Sequence, residues 1–587
     1  MITMKNDWSW RYFWPVGLLA LFLTAANAFL QVPGGEGFNP SDDGVILAQS
    51  YRLLQGEVPH RDFISIRPVG SAVMHLIHFF SPLPLVISSR WMVLLAYFLI
   101  SLLFALAWLP YAKILRSKNG RWFFAGLVLL QFLLTENHYN LFPWTTVDAL
   151  LWAGVALLAW SRLEARPDRR VLVKLFCLFW GITAAALCRQ TFLLPGLLLA
   201  IVTAWRYLFK MPVGSRGMLR WGASLAGALP GWVYIGFLTI TGSWGNFLTQ
   251  MTGRTEFWET GIQKFSDNFW RTPVWGAFML VFVIGLLIRW SDDDTRLIFL
   301  AKKLLSAGHA VLMVLILLAT IAIFLIPNYL FAWSFIFFWL VLLQILMLKL
   351  FPLNERPRMA MAWWILLIAW TSSLSLGDNA PVFATGILAG AGILLFLESF
   401  TTDKLARWPV LTSVIAALFL AGLTLISFRA QQQNNYRDLP ADELSASLGE
   451  VFPGLKGVRS TEVMHDYLSE IRMIYEELGS PTGRLAVWPN NALIYALLES
   501  PNPFPLDWMQ AAEYPGNEKR LYQEISRTMS SGTYYILLER YNVKWIANQQ
   551  IPIQLESTDH PYLGMMKEWA VERPIDSRWF RLFVSRQ

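Results

Sequence analysis

Long apolar segments separated by short loops rich in Lys and Arg constrain this chain more than any other feature. The segments fall at 12–30, 86–109, 122–135, 141–160, 171–187, 191–208, 219–240, 273–288, 303–326, 329–348, 359–374, 380–397 and 409–428. A bilayer core leaves no backbone group a water partner, so a chain crosses it as helix, in about 20 apolar residues. About thirteen spans are therefore expected, with 122–135 the shortest. Composition agrees: 15% of the residues are charged, against roughly 25% in soluble proteins. That deficit excludes an ordinary cytosolic enzyme. Disorder is excluded too, because 29 Trp and 40 Phe supply ample surface to bury. The first apolar stretch has no small-residue cleavage site after it and is expected to be retained as a span.

The net charge of +8 invites a nucleic-acid reading, but its distribution points to membrane orientation instead. With the N-terminus inside, the cytoplasmic loops hold Lys113, Arg116, Lys118 and Arg121, then Arg162, Arg166, Arg169, Arg170 and Lys174. The excess continues through Arg206, Lys210, Arg296, Lys302, Arg356 and Lys404. The opposite side is poorer by about threefold, in phase along the chain. An odd number of spans then places the segment from 429 onward outside. Cys177 and Cys188 sit eleven residues apart in one apolar helix, roughly 16 Å along its axis. They cannot pair.

The fold expected is thus an α-helical polytopic membrane protein of two parts. Residues 1–428 form the transmembrane domain, and 429–587 a small α/β extracytoplasmic domain. Two outer loops are long, 31–85 and 241–272. In the first, 44–55 and 69–80 read as helices too short to cross and suited to the membrane interface. In the C-terminal part, 462–477 reads as a charged helix, and 484–488, 534–538 and 580–584 as apolar strands.

The loop 31–85 carries the densest chemistry. Asp42 and Asp43 stand just before the first short helix, followed by Gly56, Pro59, His60, Arg61, Asp62, Phe63, Arg67 and Pro68. Two readings compete for the acidic pair: they cap the helix N-terminus with Ser41, or they perform chemistry.

The run from Asp42 to Pro68 resembles the first outer loop of the GT-C superfamily of polyprenyl-phosphate-sugar-dependent membrane glycosyltransferases. Its bacterial members include relatives of protein O-mannosyltransferases and lipid A aminoarabinose transferases. Their pattern is an Asp-Glu-Gly-like start, a helix ending in Leu-Leu-x-Gly, then Pro-Tyr-Arg-Asp-Phe. Here stand Asp42-Asp43-Gly44, Leu53-Leu54-Gln55-Gly56 and Pro59-His60-Arg61-Asp62-Phe63. The chain departs from the pattern at Asp43 in place of Glu and at His60 in place of Tyr.

The resemblance implies an inverting transfer at the outer face of a bacterial inner membrane. The donor is a polyprenyl-phosphate-linked sugar, and the acceptor a hydroxyl of an envelope glycan, lipid or protein. Nucleic acid is not an expected partner. Register to Gly56 puts Asp42 at the family's catalytic aspartate, a general base for the acceptor hydroxyl. Asp43 is then an alternative base or a helper that orients acceptor or metal. No cofactor is fixed by the residues, although a divalent metal is compatible with the pair. The leaving phosphate needs a cation, for which Arg189, Arg61 and Arg67 are the candidates; Arg189 also reads as a snorkelling anchor. Glu136, His138, Arg254, Glu256 and Glu259 are candidate acceptor or loop contacts. His75 and His78 share a helix face without a third metal ligand. Asp292, Asp293 and Asp294 read as a solvated cytoplasmic run, and Asp378 lies near the outer surface.

Rival classes are a polytopic transporter or flippase, another enzyme acting on lipid-linked glycans, and a non-catalytic scaffold. Transporters carry charges at the bilayer midplane and interrupted helices. Here the acidic residues collect at one outer face.

Overall fold

The computed structural model describes residues 35–116, 120–136, 141–167, 170–209, 215–253, 256–272, 274–290, 330–350, 356–374, 380–399, 436–547, 549–553 and 568–586, with a few single residues between. The expected spans 12–30, 303–326 and 409–428 lie wholly or mostly outside these residues.

The first loop forms α1 (Val45–Leu54) and α2 (Gly70–His75), the latter continued by a 3-10 turn over Leu76–Phe80. Then come α3 (Leu85–Trp108), α4 (Gly120–Glu136), α5 (Thr145–Ala165), α6 (Val171–Cys188) and α7 (Leu193–Ala204). Next are α8 (Ser215–Gly227), α9 (Leu229–Ile240), α10 (Trp244–Thr252), α11 (Glu256–Arg271) and α12 (Val274–Trp290). The body closes with α13 (Leu330–Leu350), α14 (Arg356–Ser373) and α15 (Thr385–Ser399).

Among the described residues four helices are long and apolar enough to cross a membrane: Leu85–Trp108, Thr145–Ala165, Val171–Cys188 and Gln190–Phe209. Counting each bent pair as one span raises this to six. The figure of about thirteen is therefore not reached by length and composition in this part of the chain, although shorter apolar helices occupy 120–135, 334–348 and 382–397. The expected span 219–240 is two helices bent by 56° after Gly227. Pro230, at the start of α9, has no N–H to continue the ladder. The loop 241–272 is largely helical, α10 and α11 occupying most of it.

The outward faces are apolar, as lipid contact requires. Leu193, Leu197, Ile201 and Trp205 are exposed at helical spacing, as are Trp232, Val233 and Phe237. Val73, Ile77 and Phe80 are 54%, 61% and 73% exposed, so the second short helix of the first loop turns an apolar stripe outward in the manner of an interfacial helix. The first does not: Val45 through Arg52 are all buried. It is covered by the C-terminal domain rather than lying in the interface.

That domain holds α16 (Glu462–Glu477), α17 (Glu518–Ser530), a short antiparallel pair β1 (Ala446–Ser447) with β2 (Arg459–Ser460), and a four-stranded sheet. The sheet consists of β3 (Leu485–Trp488), β4 (Tyr535–Glu539), β5 (Ala570–Arg573) and β6 (Phe580–Ser585), in the order β3-β4-β6-β5. β3 and β4 are parallel, with Leu485 opposite Tyr535, and the crossover between them carries α17. Thr461 caps α16 by accepting from Met464 N–H.

The domain's core is not its own. Phe38, Leu47, Tyr51 and Val86, from the first loop and the first turn of α3, pack with Leu448, Tyr467, Leu485 and Trp579. Ile64 joins Trp488 and Phe504, and Val45 and Ile46 join Ala492 and Trp508. The principal polar fastener is Arg52, whose Nε lies 2.9 and 2.8 Å from the two oxygens of Asp507 and whose Nη1 is 2.6 Å from Glu57. Removing one member of a buried pair strands the other charge, at about 3–5 kcal/mol. Arg52→Met is expected to free the domain from the body, read as faster proteolytic separation in the solubilised full chain. Asp507→Leu should restore part of the protection, and unchanged protection in Arg52→Met would remove the fastener role.

Candidate functional site

The turn before α1 is built from Asn39, Pro40, Ser41, Asp42 and Asp43. Its tightness depends on Gly44, where a Cβ would stand 2.3 Å from the Pro40 carbonyl oxygen and 2.6 Å from Leu493 of the C-terminal domain. Gly56 closes α1 at φ 82°, a left-handed conformation that glycine adopts without steric cost. The capping reading of the acidic pair fails. Gly44 is the N-cap residue, no side chain caps α1, and no acid sits in its first turn. Both carboxylates instead turn away to cations.

Asp43 is buried, accepts from the Asn39 N–H at 2.9 Å, and pairs with Arg90 of α3 at 3.2 Å. Arg90 also donates to the carbonyl of Gly37 at 2.7 Å. Burial pushes the Asp43 carboxyl upward, with the Arg90 charge opposing it. Asp43 thus ties the loop to α3.

Asp42 is also buried, but both of its bonds go to one oxygen. Oδ2 accepts from Arg437 Nη1 at 2.6 Å and from the Tyr436 hydroxyl at 3.1 Å. Oδ1 has no hydrogen-bond partner among the described residues. The Asp42 N–H donates to the Asn39 side chain at 3.2 Å, and Asn39 in turn donates to the carbonyl of Lys544 at 3.0 Å.

Arg437 stacks between the rings of Tyr436 and Trp545, at 4.7 and 4.8 Å from their centroids. Its φ is 57°, in a region that costs an L-residue roughly 1–2 kcal/mol. Such local strain, held by its surroundings, is common at functional sites. Lys544 Nζ lies 4.5 Å from the centroid of Trp508, and burial pushes its ammonium down to about 8. Trp508 is itself fixed, its Nε1 donating to Asn490 at 3.1 Å; Asn490 also accepts from Gln510 and contacts Glu539. Burial raises Glu539 to about 7.

The sequence candidates divide around this centre. Arg67 makes a two-pronged pair with Glu513 at 3.0 and 3.1 Å and lies 5.7 Å from the Trp144 ring centroid. Arg189, at the C-terminal end of α6, is buried and donates to the Thr146 hydroxyl and the Leu374 carbonyl. Arg67 and Arg189 thus flank the start of α5. Arg61 is exposed and pairs with its neighbour Asp62 at 2.8 Å. Glu259 is exposed on α11. Glu136 ends α4 and Glu256 begins α11, while His138, Arg254, Asp292, Asp293, Asp294 and Asp378 lie outside the described residues.

His75 and His78 bond to each other at 2.9 Å, Nδ1 to Nε2. Asp148 stands 3.4 Å from His75, and Ser88 2.8 Å from His78. Their facing nitrogens are therefore engaged with each other. Among the described residues no group of three or more His, Cys, Asp or Glu could hold a metal ion.

His60, one of the departures from the family pattern, is wholly buried. Gln250 of α10 donates to the His60 carbonyl at 3.1 Å, so its side-chain oxygen accepts from His60 Nδ1 at 2.6 Å. His60 Nε2 then accepts from the Tyr234 hydroxyl at 2.6 Å. Arg90, Tyr436, Arg437, Lys544 and Trp508 were not singled out from sequence. Arg90 had a signal, a lone charge at the end of an apolar span; the others had none before folding brought them to Asp42.

No protein-family model matches the chain, and no curated protein matches it. Among solved structures it is similar to ArnT from Cupriavidus metallidurans in the apo state, at 14% identity over 97% of this chain and 98% of that one, with a TM-score of 0.36. The same protein bound to undecaprenyl phosphate gives 13% identity over the same shares, with a TM-score of 0.35. At these TM-scores no residue role is taken from it.

His60 supplies a pH test. Burial is the main cause that lowers its imidazole to about 4 from an ordinary 6.5. The unfolded chain binds the extra proton first, so the contribution of His60 is full above pH 6.5. It falls by on the order of 3 kcal/mol as pH drops to 4. Thermal unfolding of His60→Gln should therefore lose less than the wild type between pH 7 and pH 4. Parallel profiles would show that His60 is not the group responsible.

Proposed function

We propose that this chain is an inverting membrane glycosyltransferase. It moves a sugar from a polyprenyl-phosphate donor to a hydroxyl of an envelope glycan, lipid or protein at the outer face of a bacterial inner membrane. One observation carries the reading: Asp42 is a buried carboxylate with one oxygen held by Arg437 and Tyr436 and the other without a partner among the described residues. A carboxylate fixed on one side and open on the other is arranged to accept a proton. In the transfer, an acceptor oxygen attacks the anomeric carbon on the face opposite the phosphate. Its proton passes to Asp42, and the carbon–oxygen bond to the lipid phosphate breaks with its electron pair leaving on the phosphate. Asp43, fully engaged with Arg90, positions the turn and holds Asp42 in place.

The transporter alternative has less support. The charged side chains described around the first loop gather under the C-terminal domain at one end of the body. The residues assigned to the inner side lie at the other end of the same helices. α5 starts beside Arg67 and His75 and runs to Arg162 and Glu164, which meet Lys174 and Arg206.

Asp42→Asn keeps shape and removes the base, and should lower turnover by about 10²–10⁴-fold while donor binding persists. Asp43→Asn should act chiefly on stability. Normal transfer in both variants would end the reading. If Asp43→Asn alone abolishes transfer in a stable protein, the base is Asp43. Orientation is tested separately in a chain with Cys177 and Cys188 changed to Ala. An impermeant thiol reagent added outside should label Ser531→Cys and spare Ala165→Cys, both at exposed positions. The reverse pattern would put Asp42 on the wrong face for this reaction.

A further inference from the structure

The cation beside Asp42 is placed where it can change partners. Arg437 has five N–H donors, and only Nη1 meets a protein acceptor among the described residues, the Asp42 oxygen. Its guanidinium is held between Tyr436 and Trp545, leaving its remaining N–H groups for two oxygens of a multidentate anion such as phosphate. Lys544 reinforces this site. Its ammonium has no carboxylate within 4.0 Å among the described residues, rests on Trp508, and lies within electrostatic reach of Asp42, Arg437, Glu513 and Glu539. A desolvated ammonium without a direct counter-ion gains more from a bound anion than a solvated one does. Both cations come from the segment after the last expected span, opposite the loop that carries the base.

We infer that Arg437 and Lys544 form a subsite for a phosphate group of the substrate, and that its occupancy draws the Arg437 guanidinium off Asp42 and frees that carboxylate to take the acceptor's proton. The inference rests on the transferase reading for its chemistry, but binding alone can test the subsite. Without substrate, Asp42 Oδ2 is engaged by the Arg437 guanidinium at 2.6 Å. When a phosphate takes over the guanidinium, that oxygen is released as the acceptor hydroxyl arrives. Access to the carboxylate is thereby coupled to substrate binding. Phosphate can enter with the lipid donor or with a phosphorylated acceptor, and the subsite chemistry is the same for both.

The experiment titrates the full chain in detergent with a short-chain polyprenyl phosphate and, separately, with a phosphorylated glycolipid. The dephosphorylated form of each is the control. Lys544→Met, which keeps the stem against Trp508, should weaken one of the two phosphate compounds about tenfold and leave the controls unchanged. Asp42→Asn removes the competitor for Arg437 and should tighten the same compound by several-fold, an effect that a structural role for Arg437 would not produce. Response of the polyprenyl phosphate assigns the group to the donor, and response of the glycolipid assigns it to the acceptor. No response to Lys544→Met, or unchanged or weaker binding in Asp42→Asn, overturns the inference. Turnover on the same preparations separates the two claims. Lost transfer in Asp42→Asn with unchanged affinity leaves the base standing without the subsite, and tightened affinity with normal transfer does the reverse.

Discussion

Charge taken out of water between the membrane body and the C-terminal domain is the constraint on which the rest of this structure depends. A lone ionised group in such a seam costs several kcal/mol, and a pair is tolerated only when its geometry is good. The seam meets that condition repeatedly: Asp43 with Arg90, Asp42 with Arg437, Arg52 with Asp507, and Arg67 with Glu513. In three of these pairs one partner lies in the first loop and the other lies past residue 435. The loop cannot reach its buried state without the domain, and the domain cannot complete its core without Phe38, Leu47 and Tyr51.

This mutual dependence gives the candidate site its character. Asp42 sits on a turn whose geometry depends on the backbone of the C-terminal domain pressing against Gly44. The cations that face it arrive from the same domain. The arginines first considered for the phosphate serve other partners: Arg67 a glutamate, Arg189 a hydroxyl and a carbonyl where three helix ends meet, and Arg61 its neighbour. A guanidinium saturated by protein acceptors has less to offer a substrate than one held by aromatic rings with a single acceptor. That difference separates Arg437 from the others.

The departures from the family pattern are accommodated in the same way. His60 fills an interior position where its two nitrogens satisfy Gln250 and Tyr234, so the imidazole joins the first loop to the second. Asp43, shorter than the Glu of the pattern, reaches Arg90 and the Asn39 N–H. Each polar side chain brought into the seam carries its own partner, as buried groups must.

The sequence by itself determined the elements that depend on local pattern. The apolar runs 86–109, 171–187 and 191–208 became helices within a residue or two of those limits. The short helices of the first loop, the helix 462–477 and the strands near 485, 535 and 580 did the same. These follow from periodicity and turn chemistry, which are properties of neighbouring residues. The acidic turn and Gly56 were legible for the same reason. Tertiary structure alone decided what those residues face. It turned Asp42 and Asp43 from the helix end that they precede to cations 395 and 47 positions away. It also buried α1 instead of leaving it at the interface, and brought Lys544 and Trp508 to the turn that carries Asp42. Contacts across hundreds of residues are set by which desolvated charges can be matched when the domain closes over the loop, and no local pattern records that pairing.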